Sequence, residues 1–295
     1  MQAKDFRIAH RHTRFCSTSQ VIKNLALCCC LLFRIEIFRC PVWPRHKTMI
    51  DADRNVPVHI INLDRDAERL KTFMHRNDFL QVVRPDAVEG RNLDRDELAR
   101  TGMIHRDLRY TNPALGNAHS HIGLWTKAAD EDVCVTIAED DAIFSRDFHA
   151  GARAILDALP SDWDVVLWGV NFDAFLWLEV VEGVRCKLQF EQDDLRARVA
   201  EFRDRAGLNV PLRLRHSFGV MAYTVSPLGA RNLMKICVPL SNQLIEFPGY
   251  EVVIENNTID AAMNAAYPSL KAFVCIPPLA ISENRHESST IQGAK

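Results

Sequence analysis

One apolar stretch and the acids that follow it decide the fold. It reads Val133-Cys134-Val135-Thr136-Ile137-Ala138-Glu139-Asp140-Asp141. The first six residues are apolar apart from the β-branched Thr136, which is typical of a strand buried on both faces. Open α/β sheets bind ligands at the carboxyl ends of their strands, so the three acids stand where a ligand site is expected.

Short strands and amphipathic helices alternate on both sides of this stretch. Further strands are predicted over residues 58–63, 81–88, 163–169 and 219–225, and helices over 67–74, 94–100, 113–129, 147–158 and 226–236. This alternation predicts an α/β fold with a mostly parallel central sheet and helices on both faces. Residues 171–215 break the rhythm, and we expect them to form an excursion over one face of the sheet.

The first 48 residues differ in composition from the rest. They hold nine Lys and Arg against two acids, and five of the nine cysteines. The apolar run at residues 25–33 is too short for a membrane span, which needs about 20 residues. The segment can be a membrane-surface element, a targeting remnant or residues upstream of a true start at Met49, and we favour the last. We therefore interpret residues 1–48 as a disordered or non-native extension and residues 49–295 as the functional domain.

Charge, cysteine usage and missing motifs exclude several function classes. Beyond residue 48 the chain carries 27 Lys and Arg against 36 Asp and Glu, so it repels phosphates and no nucleic-acid partner is expected. The four cysteines there are far apart, which argues against disulfides and zinc sites and indicates a reducing, cytoplasmic location. The chain has no GxG, GxxxxGK[ST], HExxH or GxSxG motif, so dinucleotide, P-loop, zinc-protease and α/β-hydrolase sites are not indicated.

Position, more than composition, makes the acids at 139–141 informative. At this acid content about 0.6 such triplets arise by chance, and residues 130–132 form another one before the strand. Adjacent carboxylates at a ligand edge repel one another unless a cation neutralises them. Hard oxygen ligands suit Mg²⁺ or Mn²⁺ that shares its shell with substrate phosphates. The residues alone leave two alternatives, a metal site and a solvated turn.

Three segments of the sequence form a recognisable series. They are Ile60-Ile61-Asn62-Leu63-Asp64-Arg65 with Glu68-Arg69, then Gly116 with Ser120-His121 and Leu124-Trp125, and Ala138-Glu139-Asp140-Asp141-Ala142. In this order they resemble glycosyltransferase family 25, of the lipooligosaccharide-biosynthesis galactosyltransferase type. A weaker fourth segment covers residues 219–230. Two positions depart from the family's pattern: Asn117 stands where Cys is common, and Ala138 replaces the usual Leu.

The resemblance implies a fold and an activity. It implies the GT-A nucleotide-sugar transferase fold, with residues 56–169 as the nucleotide-sugar-binding half and residues 170–295 as the acceptor-binding half. The implied reaction moves a sugar, galactose by this likeness, from a UDP-sugar to a glycan or lipid-linked glycan such as a lipooligosaccharide core. Mn²⁺ or Mg²⁺ would be the cofactor. The protein would act in the cytoplasm or at the inner face of the cytoplasmic membrane.

The resemblance also implies roles for single residues. Asp141 would be the direct metal ligand, and Glu139 would reach the metal, a metal-bound water or the ribose. An inverting transfer needs a general base, for which Asp260 is the first candidate and Asp173 the second. The residues implied to hold the nucleotide are Ile61, Asn62, Asp64, Arg69, Glu139 and Asp140.

Structural alternatives accompany these roles. Asp64 can be a helix N-cap, and Asp260 a cap or surface acid at a helix start. Phe175 and Trp177 can stack on a sugar or belong to the core. Residues two apart on a helix do not share a face, so we expect one of the histidines at 119 and 121 to point inward and the other outward.

Two other functions remain open at this point. A different metal-dependent nucleotide-handling α/β enzyme, such as a nucleotidyltransferase, would need a Gly-rich phosphate loop after the first strand, and residues 60–69 contain no Gly. A non-catalytic relative that binds nucleotide or glycan is the alternative from a different class. The intact acids at 139–141 argue against it.

Overall fold

Residues 56–247 and 252–283 are the part of the chain that the computed structural model describes. The extension predicted for residues 1–48 lies outside them. Within the described residues no helix combines the length and the apolar character that a membrane span requires.

A nine-stranded sheet runs through the described residues. Its strands β1, β2, β3, β5, β6 and β12 point one way, and β7, β8 and β9 the other. The predicted α/β class is confirmed, and the sheet predicted as mostly parallel is mixed, with three of its nine strands antiparallel to the other six. In spatial order the strands are β2 (Val82–Val83), β1 (Val58–Ile61), β3 (Val135–Glu139), β9 (Ala222–Val225), β5 (Val165–Gly169), β12 (Ala272–Ile276), β8 (Val210–His216), β6 (Leu176–Val181) and β7 (Val184–Leu188).

Eight α-helices and two small strand pairs complete the described part. Strand β4 (Ile143–Phe144) pairs with β13 (Ala280–Ile281), and β10 (Leu244–Phe247) pairs with β11 (Val252–Glu255). The helices are α1 (Ala67–Arg76), α2 (Arg95–Arg100), α3 (Asn112–Asp130), α4 (Phe148–Ala158), α5 (Gln192–Ala197), α6 (Val199–Asp204), α7 (Pro227–Cys237) and α8 (Ile259–Ala266).

Helices cover both faces of the sheet, as predicted. Tyr223 of β9 points towards α3, where Trp125 Nε1 donates a hydrogen bond to its hydroxyl at 2.8 Å. The next residue, Thr224, accepts one from Trp168 Nε1 at 2.8 Å on the opposite face, and Phe148 of α4 packs edge-on against that Trp168 ring. Successive side chains of a strand point to opposite faces, so α3 and α4 lie on different sides.

Helix starts follow their capping residues. The side chain of Thr111 accepts a hydrogen bond from the backbone of Ala114 at the start of α3. Ser226 caps α7 in the same way, with Pro227 at the first helical position, where a missing N–H costs nothing. The helix predicted over residues 226–236 therefore begins where its cap and proline indicate.

Two predictions of secondary structure are corrected. The strand predicted at residues 81–88 is only Val82–Val83, because Pro85 has no N–H to continue the ladder. Residues 171–215 do not form an excursion over one face. They contain β6, β7 and most of β8, which extend the same sheet in antiparallel fashion beyond β12. Their alternation of charged and apolar residues is that of strands with one exposed face.

Candidate active site

A cleft of about 1470 Å³ opens at the carboxyl ends of β1 and β3. These strands pair in parallel with Ile61 opposite Glu139, so the residues that follow each strand meet at this edge. All but one of the residues predicted for the site line the cleft, and Asp64 is the exception. Those that line it are Ile61, Asn62, Arg69, Glu139, Asp140, Asp141, Asp173 and Asp260.

Asp140, the middle acid, is engaged by neighbouring side chains. Arg69 of α1 donates from Nε to Asp140 Oδ1 at 2.7 Å and forms a second bond to the same oxygen from Nη2. Asn62 Nδ2 donates to Asp140 Oδ2 at 2.8 Å. Both carboxylate oxygens are thus held by protein donors, and the ion pair ties α1 to the end of β3.

Asn62 is buried, and both the nitrogen and the oxygen of its side-chain amide form hydrogen bonds. Besides Asp140, its Nδ2 group reaches the backbone carbonyl of Asp66 at 3.1 Å, and Arg84 Nε donates to its Oδ1 at 3.3 Å. This network satisfies a polar side chain that would be costly to bury alone.

Asp64 is turned away from the cleft. Its side chain is 93% exposed and accepts a hydrogen bond from Arg84 Nη2 at 2.6 Å. It is not the N-cap of α1 either, since Asp66 occupies that position. The structure does not bring Asp64 to the other site residues.

Asp141 is open to the cleft. Ser282 Oγ donates to its Oδ2 at 3.0 Å from the far end of the described chain. The loss of bulk water within the cleft raises the pKa of Asp141, repulsion from Asp140 adds to this, and the Ser282 hydrogen bond opposes it. A positive charge at this carboxylate would relieve the repulsion.

Glu139 ends β3 at the floor of the cleft and faces α3. Its Oε1 atom lies 3.5 Å from Asn117 Nδ2 and 4.0 Å from His121 Nε2. Desolvation, followed by repulsion from Asp141 and Asp260, raises the pKa of Glu139 well above its ordinary value. Glu139 therefore lies in the field of two other acids of the same cleft, Asp141 and Asp260.

The two histidines at 119 and 121 do not form a metal-binding pair. His121 is completely buried, its Nδ1 atom lies 2.9 Å from the Tyr223 hydroxyl, and burial lowers its pKa to about 3. His119 is half-buried, and desolvation lowers its pKa as well. His121 is the inward-facing histidine, as expected for one of the two.

Asp260 lies in the first turn of α8 and faces the cleft. Its Oδ2 atom accepts a hydrogen bond from the backbone N–H of Gly219 at 3.2 Å. Gly219 has a φ of +76°, and a Cβ there would overlap the side chain of Asn171, so this approach requires glycine. Asp173, the second candidate base, lines the same cleft with an exposed side chain.

An aromatic residue that the sequence did not indicate also reaches the cleft. Phe218 lines it and stacks on Phe247, with ring centroids 4.6 Å apart. Phe175 is buried behind Phe247 and does not line the cleft, and neither does Trp177. Phe175 therefore packs in the core and does not stack on a sugar in the cleft.

Three further residues at or beside the cleft were not predicted from the sequence, and one of them carried a signal that could have found it. Asn117 carried a signal, because it precedes His121 by one helical turn and so shares its face. Ser282 is 141 residues away from its partner Asp141, and Phe218 shows no local pattern.

The cleft offers two carboxylates for a cation, not a complete protein cage. No group of three or more His, Cys, Asp or Glu side chains within residues 56–247 and 252–283 is arranged to hold a metal ion. Asp140 is occupied by Arg69 and Asn62, which leaves Glu139 and Asp141 as the acids of the triplet that face the cleft.

Comparison with known proteins identifies the family of this chain. The sequence model of the family described as "Glycosyltransferase family 25 (LPS biosynthesis protein)" matches residues 55–246, which is more than half of the chain. The matched range includes α1, α3 and the acids at 139–141, whereas Asp260 lies beyond it. No curated protein sequence matches the chain. From the match over residues 55–246, the chain belongs to glycosyltransferase family 25.

Proposed function

We propose that this glycosyltransferase uses a divalent cation and a UDP-sugar, with galactose as the sugar, to extend a glycan. The acceptor would be a glycan or lipid-linked glycan such as a lipooligosaccharide core, presented at the inner face of the cytoplasmic membrane. One observation carries the proposal: Glu139 and Asp141 face the cleft at the end of β3, while Arg69 and Asn62 occupy the acid between them.

The donor set fits a hard cation such as Mn²⁺ or Mg²⁺. Such a cation often takes only one or two protein carboxylates and completes its shell with substrate phosphates and water, so two acids are enough. Burial first, and repulsion from neighbouring acids after it, raises the pKa values of Glu139 and Asp141, and a cation would offset that repulsion. When bound, the cation would supply charge neutralisation for the diphosphate that leaves the sugar.

Residues at the other side of the cleft would handle the acceptor. In an inverting transfer the acceptor oxygen bonds to the anomeric carbon, the bond from that carbon to the diphosphate breaks, and the acceptor proton passes to a base. We assign the base to Asp260, whose Oδ2 is oriented by the Gly219 N–H. Asp173 is the alternative base, and the ring of Phe218, which lines the same cleft, can support a sugar face.

The test is UDP release from UDP-galactose and other UDP-sugars with a lipooligosaccharide core acceptor. Wild type is expected to turn over with Mn²⁺ and to stop after chelation. Asp141→Asn should lower the rate at least about 100-fold, since metal stabilisation of the leaving group is worth several kcal/mol. Asp193→Asn, at a 98% exposed acid of α5, is the matched control and should keep its activity.

Two outcomes would contradict the proposal. Equal activity after chelation would remove the cation from the mechanism. Tight UDP binding without turnover on any donor and acceptor would indicate a nucleotide-binding relative that has lost catalysis.

A further inference from the structure

Helix α3 directs two side chains at the same carboxylate oxygen. Asn117 and His121 are four residues apart and therefore lie on one face of the helix. Asn117 Nδ2 is 3.5 Å and His121 Nε2 is 4.0 Å from Glu139 Oε1. The Oε1 side of Glu139 is thus covered by α3.

A buried hydrogen-bond chain sets the tautomer of His121. The indole N–H of Trp125 can only donate, and it donates to the Tyr223 hydroxyl at 2.8 Å. The hydroxyl proton of Tyr223 then needs an acceptor, and His121 Nδ1 lies 2.9 Å away. If Nδ1 carried the imidazole proton instead, Tyr223 would bury its own proton without an acceptor. The chain therefore places the imidazole proton on Nε2.

The Nε2 atom of His121 has no hydrogen-bond partner of its own. The residue is fully buried, and its Nε2 is among the buried polar atoms that no protein group satisfies. The nearby acceptor is Glu139 Oε1, about 1 Å too distant for a hydrogen bond. A buried N–H aimed at a carboxylate is incomplete until the two approach.

We propose that His121 is a positioning residue for Glu139. Its Nε2–H, fixed by Tyr223 and Trp125, closes onto Oε1 of Glu139 when the carboxylate binds the cation, together with the amide of Asn117. The second oxygen, Oε2, is thereby turned towards the cleft, where the cation and the donor nucleotide bind. The kinetic part of this inference rests on the proposed function, and the tautomer does not.

The tautomer is tested without turnover. Long-range ¹H–¹⁵N spectra of the metal-free protein with labelled histidine report which ring nitrogen carries the proton, and loss of one signal in His121→Gln assigns the residue. The expected result is a neutral ring protonated at Nε2 in wild type and a mixture of tautomers in Tyr223→Phe. A neutral ring protonated at Nδ1 in wild type would overturn the proposal.

Two substitutions at His121 separate positioning from packing. Gln can place an N–H near the Nε2 position, whereas Asn reaches only the Nδ1 position. His121→Asn is expected to raise the Mn²⁺ concentration for half-maximal UDP release about 10–100-fold, because loss of a residue that orients a metal ligand weakens metal binding by about that much. His121→Gln is expected to raise this concentration much less. Equal effects of the two, in parallel with equal losses of melting temperature, would show that His121 only fills space and would overturn the proposal.

Failure of the two proposals can be distinguished. If wild type released no UDP from any donor, the proposed function would fall while the spectra still decided the tautomer. If wild type turned over but its spectra showed Nδ1 protonation, the positioning role alone would fall.

Discussion

At the scale of single residues, three consecutive acids have different surroundings. Arg69 and Asn62 hold Asp140, whereas Glu139 and Asp141 face the cleft. The ion pair of Asp140 supports the site, because a partly buried carboxylate without its partner would be strongly destabilising. Substitutions at 140 and 141 should therefore act differently, the first through structure and the second through the reaction.

The raised pKa of Glu139 predicts that stability depends on pH. The acid titrates near 4.5 when unfolded, and its folded pKa is raised to about 8. Between these values the folded state keeps a proton that the unfolded state has lost, so the free energy of unfolding falls as pH rises. Glu139→Gln removes this effect and should gain stability relative to wild type between pH 5 and pH 8.

Urea unfolding in EDTA at pH 5 and pH 8 measures this difference. The free energy of unfolding of Glu139→Gln relative to wild type should rise by about 1 kcal/mol or more from pH 5 to pH 8, because one unit of pKa shift is worth about 1.4 kcal/mol. The Glu139 side chain is 31% exposed, so solvent screens part of the effect. If wild type and Glu139→Gln differed in free energy of unfolding by the same amount at both pH values, the pKa of Glu139 would not be raised by folding.

At the scale of elements, α3 is held close to the loop after β2 by glycines. A Cβ on Gly116 would lie 2.6 Å from the backbone nitrogen of Gly90, closer than real contacts allow. Gly123 lies seven residues further along the same helix, is exposed, and has nothing within 4 Å of a Cβ. This close approach brings Asn117 and His121 to Glu139.

The two glycines should respond in opposite directions to alanine. Gly116→Ala is expected to lower the free energy of unfolding by about 2 kcal/mol, because backbone cannot move aside as a flexible side chain does. It should also reduce UDP release by displacing α3. Gly123→Ala should raise stability by about 0.5–1 kcal/mol through helix propensity. Urea unfolding measures the stability of both variants. A gain in the free energy of unfolding of both would argue against a tight contact between Gly116 and Gly90.

At the scale of the whole molecule, the cleft is strongly acidic. Its three basic residues, Arg65, Arg69 and Arg109, each pair with an acid. Six more acids than bases line the cleft, so it attracts cations and repels free anions. The acids are Asp66, Glu89, Asp107, Glu139, Asp140, Asp141, Asp173, Glu255 and Asp260.

This field predicts a preference for neutral acceptors. A phosphate or carboxylate close to the reacting hydroxyl should lower kcat/KM about tenfold or more relative to the same acceptor without it, since like charges in a cleft cost at least about 1.4 kcal/mol. The difference should narrow as salt is raised, because screening shortens the reach of the charges. Competition between the paired acceptors at low and high salt measures it, and equal kcat/KM for both at low salt would contradict the prediction.

The elements near the site could be predicted because their signals are local. An apolar run indicates β3, and helical spacing with Thr111 before it indicates α3. The same reasoning failed for residues 171–215, since strands near a sheet edge have one exposed face and lack a continuous apolar run. Such segments reveal themselves as strands only through the neighbours they pair with.

The sequence by itself determined the α/β class, the acids at the carboxyl end of β3 and the family, because burial periodicity and short motifs lie within a few residues of one another. Only the tertiary structure decided what each acid does. Arg69 reaches Asp140 across 71 residues and Ser282 reaches Asp141 across 141. Such pairs depend on how strands and helices pack, and no local pattern encodes that packing.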